Sequence, residues 1–470
     1  MFPNWHPRPV ASLRTSSLRV AVVTAAILLG MAYLAGFQYD PEAFGIPAAK
    51  AAEGTFSFTE LKGDQTGLKA IMEAWRADET ARQGGKVSDW WPWGITVFDY
   101  DNDGDQDLLV CQHSKVGCSI LRNNLVESGS LTFTDVSQSL VGDKRLLPLS
   151  AGKPKVFDFD KDGWLDILGL FNQRSFFNNK GESFTAIPNF ALAINYPRWL
   201  KTDSSNLSGV TDLNGDGYLD VTNIYRDYLY LPSKRTFARQ EKPSYAPPML
   251  PADVQALIGK NANSPEMRVD YFDYDLNNDG RDDLIVSGYM AYGPLKFMRV
   301  LTRQPGGELG DRTSEVGFDG SSYVILIEDF NQDNRLDMLV GRGDSPGLYL
   351  ANPDFTYTRV RNPNIENTVG MANISYPDSA WAIDFDQDGD QDLVISGRYS
   401  ALLEVYENDG HGGMARVANP KPWGGGAEPV DFGDMNGDGF VDFVLGTCTD
   451  CYLSRVDDIM IYLNNPNAAP

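Results

Sequence analysis

Carboxylates at alternate positions carry the main chemical signal of this chain. A nine-residue pattern, Asp-x-Asp/Asn-x-Asp-Gly-x-x-Asp, recurs seven times. Its oxygen-bearing residues are Asp99, Asp101, Asp103 and Asp107 in loop I, and Asp158, Asp160, Asp162 and Asp166 in loop II. Loop III has Asp212, Asn214, Asp216 and Asp220, and loop IV has Asp275, Asn277, Asp279 and Asp283. Loop V has Asp329, Asn331, Asp333 and Asp337, loop VI has Asp384, Asp386, Asp388 and Asp392, and loop VII has Asp434, Asn436, Asp438 and Asp442. Hard oxygen ligands around a glycine that permits a sharp turn suit a calcium-type cation. Positions 1, 3 and 5 point inward as the chain curls, while a carbonyl near position 7 and the carboxylate at position 9 can complete the shell. An EF-hand loop needs a glutamate at position 12. Here that position is Val110, Gly169, Asn223, Val286, Val340, Ile395 or Leu445, so these are not EF-hands. Loop V places Asn334 where the others have glycine, and asparagine tolerates the left-handed backbone the turn requires. The formal net charge is −24, and up to seven Ca2+ would bring it to about −10. Without cations the clustered carboxylates repel one another.

The elements that must position these loops are strands. The loops start 50 to 63 residues apart, a period that signals a solenoid or a propeller. Each leads into a short apolar run, such as 108–110, 284–286 or 393–395, which reads as a buried strand. A second apolar segment follows, often ending in asparagine, at 119–124, 175–179, 347–352, 403–408 and 459–465. Another strand comes next at 131–136, 183–187 and 355–360. With the strand before the loop, each unit has four. The last unit ends without its fourth, and the segment 54–61 (GTFSFTEL) matches the missing pattern. The expectation is an all-β, seven-bladed β-propeller over 54–465, its seventh blade closed by 54–61, followed by a tail at 466–470.

The loops and their strand context resemble the FG-GAP/VCBS repeats of integrin α-subunit propellers and many exported bacterial proteins. The resemblance implies calcium held between the first and second strands of each blade, by the residues named above. It also suggests a binding, adhesion or assembly module. If all the loops share one face, the longer links lie on the other. Those links carry Trp90, Trp91, Trp199 and Trp423, candidates to grip a glycan or protein ligand. Residues 68–83 in the first link form an expected short helix.

Catalytic signals are sparse. The three histidines, His6, His113 and His411, are isolated, and no nucleophile elbow or zinc-protease motif occurs. A carbohydrate-active enzyme on the same scaffold, a polysaccharide lyase or glycosidase, stays as the alternative. The GRGDSP run at 341–346 contains the adhesion tripeptide, but reads as turn chemistry. The acidic excess argues against nucleic acid as the main partner.

Residues 1–38 carry Arg8, Arg14 and Arg19 before a charge-free run from Val20 to Phe37, followed by a linker at 39–53. This is an export signal, either an uncleaved membrane anchor or a cleaved peptide. The expected location is therefore outside the cytoplasm: periplasmic, cell-surface or secreted. There Cys111–Cys118 and Cys448–Cys451 read as two short-range disulfides, with a Cys₄ zinc site or free buried thiols as alternatives.

Overall fold

The second strand of sheet I is apolar from Leu108 to Cys111 because both of its faces are covered. In the computed structural model, Leu108 and Val110 pack with Val444 and Ile461 on one side. Leu109 and Cys111 pack with Ile167 and Phe176 on the other. Side chains alternate across a strand, so a run buried on both faces loses its polar half and reads as continuous hydrophobicity. Burying each such side chain contributes about 1.5–3 kcal/mol relative to leaving it exposed.

The structure describes residues 56–82, 84–85, 92–112, 117–142, 154–169, 174–191, 209–211, 214–222, 226–241, 256, 267–281, 283–290, 296–305, 309–318, 323–341, 345–370, 380–397, 402–417, 426–448 and 459–466. Within them the protein is built of seven four-stranded antiparallel sheets. Sheet I holds Pro92–Phe98, Asp107–Gln112, Cys118–Asn123 and Phe133–Asp135. Sheet II holds Lys155–Phe157, Asp166–Leu168, Arg174–Asn178 and Phe184–Ala191. Sheet III holds Gly209–Thr211, Asp220–Thr222, Arg226–Leu231 and Thr236–Glu241. Sheet IV holds Met267–Tyr274, Asp283–Met290, Lys296–Arg303 and Leu309–Asp311. Sheet V holds Tyr323–Glu328, Asp337–Gly341, Gly347–Ala351 and Tyr357–Arg359. Sheet VI holds Ala380–Ile383, Asp392–Gly397, Leu402–Asn408 and Met414–Arg416. Sheet VII holds Gly426–Gly433, Asp442–Cys448 and Ile459–Asn465, and its fourth strand is Ser57–Leu61. That strand pairs in register from Ser57 opposite Asn465 to Leu61 opposite Ile461.

Apolar clusters join sheets I and II, II and III, IV and V, V and VI, VI and VII, and VII and I. The helix expected at 68–83 spans Leu68–Arg82, and its buried Leu68 and Met72 enter the cluster between sheets VII and I. A further helix, Pro363–Gly370, follows sheet V, with Ile365 and Val369 fully buried. Cys111 and Cys118 form a disulfide across adjacent strands of sheet I.

Among the described residues no helix is long and apolar enough to cross a membrane. The apolar run Val20–Phe37, the candidate ligand Asp212 of loop III, the candidate binding residues Trp90, Trp91, Trp199 and Trp423, Cys451 and Asp344 all lie outside the described residues.

Candidate metal centres

All seven Asp-rich loops connect the first and second strands of their sheets. Two left-handed residues make each loop. At position 6 the glycines run from φ 80° at Gly280 to 100° at Gly104, and Asn334 takes 62° in loop V. Position 4 is also left-handed, at Asn102, Lys161, Gly215, Asn278, Gln332, Gln387 and Gly437. Sequence reasoning missed that second requirement, because asparagine, lysine and glutamine hide it. A non-glycine residue there costs about 1–2 kcal/mol, which the loop's own hydrogen bonds offset.

Those bonds follow one plan. Position 1 accepts from the N–H of position 6, as Asp158 Oδ2 does from Gly163 at 2.9 Å and Asp434 Oδ2 from Gly439 at 2.8 Å. Position 5 accepts from the N–H of position 7, as Asp162 Oδ1 does from Trp164 at 3.1 Å. The position-9 carboxylate is buried and bonded on both oxygens. Asp107 Oδ2 accepts from Tyr100 N–H at 3.0 Å, and Oδ1 from Asn123 N–H at 2.8 Å. The same pair recurs at Asp166, Asp283, Asp337, Asp392 and Asp442. Position 9 thereby fastens the loop to the third strand. Burial pushes Asp107 up to about 9, Asp166 and Asp392 to about 8, and Asp337 and Asp442 to about 7, despite those bonds.

Position 3 divides the loops into two kinds. In three of the four loops where it is asparagine, its amide donates to the position-5 carboxylate, from Asn214 to Asp216 at 3.1 Å, Asn331 to Asp333 at 2.9 Å and Asn436 to Asp438 at 2.9 Å; in loop IV, Asn277 Oδ1 accepts from Asp279 N–H at 3.0 Å. Loops IV and V add an arginine at position 7, and Arg281 and Arg335 bind Asp279 and Asp333 directly. Where position 3 is aspartate, carboxylates converge instead. The oxygens of Asp99, Asp101 and Asp107 lie within 4.8 Å of one another, as do those of Asp158, Asp160 and Asp166, and of Asp384, Asp386 and Asp388. Asp99 Oδ1, Asp101 Oδ1, Asp160 Oδ1 and Asp384 Oδ1 are buried without a hydrogen-bond partner. A buried carboxylate oxygen with nothing to accept from is costly, and a cation relieves it. Loops I, II and VI therefore fit a hard divalent ion, with the aspartates of positions 1 and 3 as its holders, joined by position 9 or 5. One of them already has a cationic neighbour: Arg235, reaching from sheet III, pairs with Asp160 Oδ2 at 2.5 Å.

The loops are also laced to one another. The position-4 side chain donates to the position-6 carbonyl of the next loop: Asn102 to Gly163 at 2.9 Å, Asn278 to Asn334 at 3.1 Å, Gln332 to Gly389 at 3.0 Å and Gln387 to Gly439 at 2.6 Å. The asparagine closing the third strand reaches back to the preceding loop. Asn178 donates to the Tyr100 carbonyl at 2.7 Å, Asn408 to Phe330 at 2.7 Å and Asn464 to Phe385 at 2.7 Å. Asn123 of sheet I donates to the Met435 carbonyl of loop VII at 3.0 Å. The asparagines ending each apolar segment were visible in the sequence, but their role as clamps between sheets was not.

Residues 384–445, which contain loops VI and VII, match the FG-GAP-like repeat family. No curated protein matches the chain. Among solved structures it is similar to an Agrocybe aegerita lectin described as specifically recognising non-reducing terminal N-acetylglucosamine. That match has 18% identity over 70% of this chain and 81% of the other, with a TM-score of 0.41. A second is BBS1N in complex with ARL6DN, at 10% identity over 80% of this chain and 93% of the other, TM-score 0.39. A third is rhamnogalacturonan lyase YesW, at 11% identity over 77% of this chain and 56% of the other, TM-score 0.25.

Proposed function

We propose that this chain is an extracytoplasmic, seven-bladed β-propeller that binds calcium for stability and serves as a binding or adhesion module. The observation that carries the calcium reading is the set of buried, unpartnered oxygens on Asp99, Asp101, Asp160 and Asp384, at position 1 or 3 of three loops. Closure into a ring is supported by the clamp from Asn123 to Met435 and by Asp431 Oδ2 accepting from Val97 N–H at 2.7 Å, which tie sheet VII to sheet I. Export is supported by the basic and apolar N-terminal segment and by a disulfide, a bond that persists in oxidising compartments. In loops I, II and VI an ion would neutralise the converging carboxylates, and the chain supplies the oxygens and the turn that aims them.

Ligand binding falls to the face opposite the calcium loops, where the links carry Trp90, Trp91, Trp199 and Trp423. The calcium face is taken up by loop-to-loop hydrogen bonds, whereas links can vary without disturbing the sheets.

Calcium content of the chelated and calcium-reloaded protein tests the first half of this reading. Loops I, II and VI should each take up calcium, and Asp101→Asn, Asp160→Asn and Asp384→Asn should each reduce it. A protein that retains none after dialysis against millimolar calcium is not the one proposed. For the second half, a glycan and peptide array probed with the four Trp→Ala variants should show binding without turnover, and loss of about 2 kcal/mol or more at a true anchor. Cleavage of a bound polysaccharide would establish the enzyme instead.

A further inference from the structure

Loop I has a second group of carboxylates that the nine-residue pattern does not account for. Its position 7 is Asp105, only 2% exposed. Asp105 Oδ2 accepts from Val126 N–H at 3.0 Å, but Oδ1 is buried with no hydrogen-bond partner. The oxygens of Asp103, Asp105 and Glu127 lie within 4.8 Å of one another. Glu127 comes from the turn between the third and fourth strands of sheet I, well outside the repeat pattern. We infer that Asp103, Asp105 and Glu127 form a second divalent-cation site, which shares Asp103 with loop I.

Three observations point the same way. Oxygens this close can ligate one ion, since calcium–oxygen distances are about 2.3–2.6 Å. The charges leave room for it: Arg122 Nη1 contacts Glu127 Oε1 at 3.0 Å, which offsets one of the three carboxylates and leaves two. The orphaned oxygen is also not an accident of one loop. Loop VI is the other copy with aspartate at position 7, and there Asp390 is 4% exposed with its Oδ1 again unpartnered. The remaining loops carry Trp164, Tyr218, Arg281, Arg335 or Phe440 at position 7, none of which supplies an anionic oxygen. Position 7 therefore differs from loop to loop: in loops IV and V its arginine binds the position-5 aspartate, and in loop I its carboxylate builds a second centre.

This inference rests on loop I being a calcium loop, and one set of measurements separates the two. The full chain is stripped with chelator and titrated with calcium alone, with bound equivalents read by elemental analysis after equilibrium dialysis. Glu127→Gln, a substitution at an exposed residue, should remove one equivalent, as should Asp105→Asn, which keeps an acceptor for Val126. Asp101→Asn should remove an equivalent that both of those variants retain. If the parent binds calcium and the Glu127→Gln and Asp105→Asn proteins bind as many equivalents with unchanged affinity, the second site does not exist while the calcium loops stand. If the parent binds none, both readings fall.

Discussion

Asn178 shows how one side chain can join two sheets. Its amide donates to the carbonyls of Tyr100 and Leu165, at 2.7 and 3.2 Å, and the residue is fully buried. Asn178→Ala strands two acceptors, and an unsatisfied buried group costs about 1–3 kcal/mol. The denaturation midpoint should fall accordingly. Asn179→Ala is the comparison: its amide bonds Ser183 and Thr185 hydroxyls at the solvent-facing turn, so its loss should cost less, about 0.5–1.5 kcal/mol. Equal midpoints for the two variants would remove the clamp from the argument. The asparagines at these positions could be read in the sequence as strand endings. Their partners could not, because those carbonyls lie 78 residues away in Asn178 and Asn408 and 312 away in Asn123.

At the scale of elements, the turn between the third and fourth strands of sheet II presses on loop I. Gly181 has φ 72°, and a Cβ there would stand 2.8 Å from Asp101 Cβ and 2.9 Å from its Cα. Gly181→Ala combines a strained backbone with a collision against backbone, so it should destabilise by more than about 1 kcal/mol. It should also weaken calcium at loop I several-fold. Gly163→Ala has φ 90° but nothing within 4 Å of its Cβ, so it carries the backbone strain alone. A calcium affinity unchanged in Gly181→Ala would show that loop I tolerates displacement of Asp101. The helix Pro363–Gly370 had its own signal in the sequence. Asn362 precedes Pro363 at the first helical position, and Asn362 Oδ1 accepts from Asn364 N–H at 3.1 Å.

Across the whole molecule, the N-terminal strand brings together residues far apart in the chain. Phe58 meets Phe385 and Phe443 with ring centroids 5.3 and 4.9 Å away, and Tyr462 donates to Glu60 at 3.3 Å. A protein beginning at Lys62 loses Ser57–Leu61 and leaves Ile459–Asn465 as an unpaired edge. Aggregation or loss of cooperative unfolding should follow, read by light scattering and calorimetry; a monomer of unchanged stability would contradict it. Calcium should act on the same scale. At about ten times its dissociation constant, each bound ion adds about 1.4 kcal/mol, so chelation should lower the melting temperature of the intact chain. An identical melting curve in excess chelator would mean that these loops do not couple metal to folding.

Composition, spacing and periodicity by themselves determined the strands, the four-strand repeat and the seven loops, because each is encoded within about ten consecutive residues. The Asp ladder at positions 1, 3, 5 and 9 needs only local backbone to make sense, and so do the apolar runs after it. What the tertiary structure alone decided is which carboxylates are left wanting a cation. The strings differ at position 3, but not in a way that shows the consequence: in the described residues Asn214, Asn331 and Asn436 bond their own position-5 aspartates, while Asp99, Asp101, Asp160 and Asp384 keep buried oxygens without partners. Burial and hydrogen-bond satisfaction depend on what packs against a group from distant parts of the chain. Arg235 from sheet III against Asp160 and Glu127 against Asp105 are cases that no spacing within a repeat reveals.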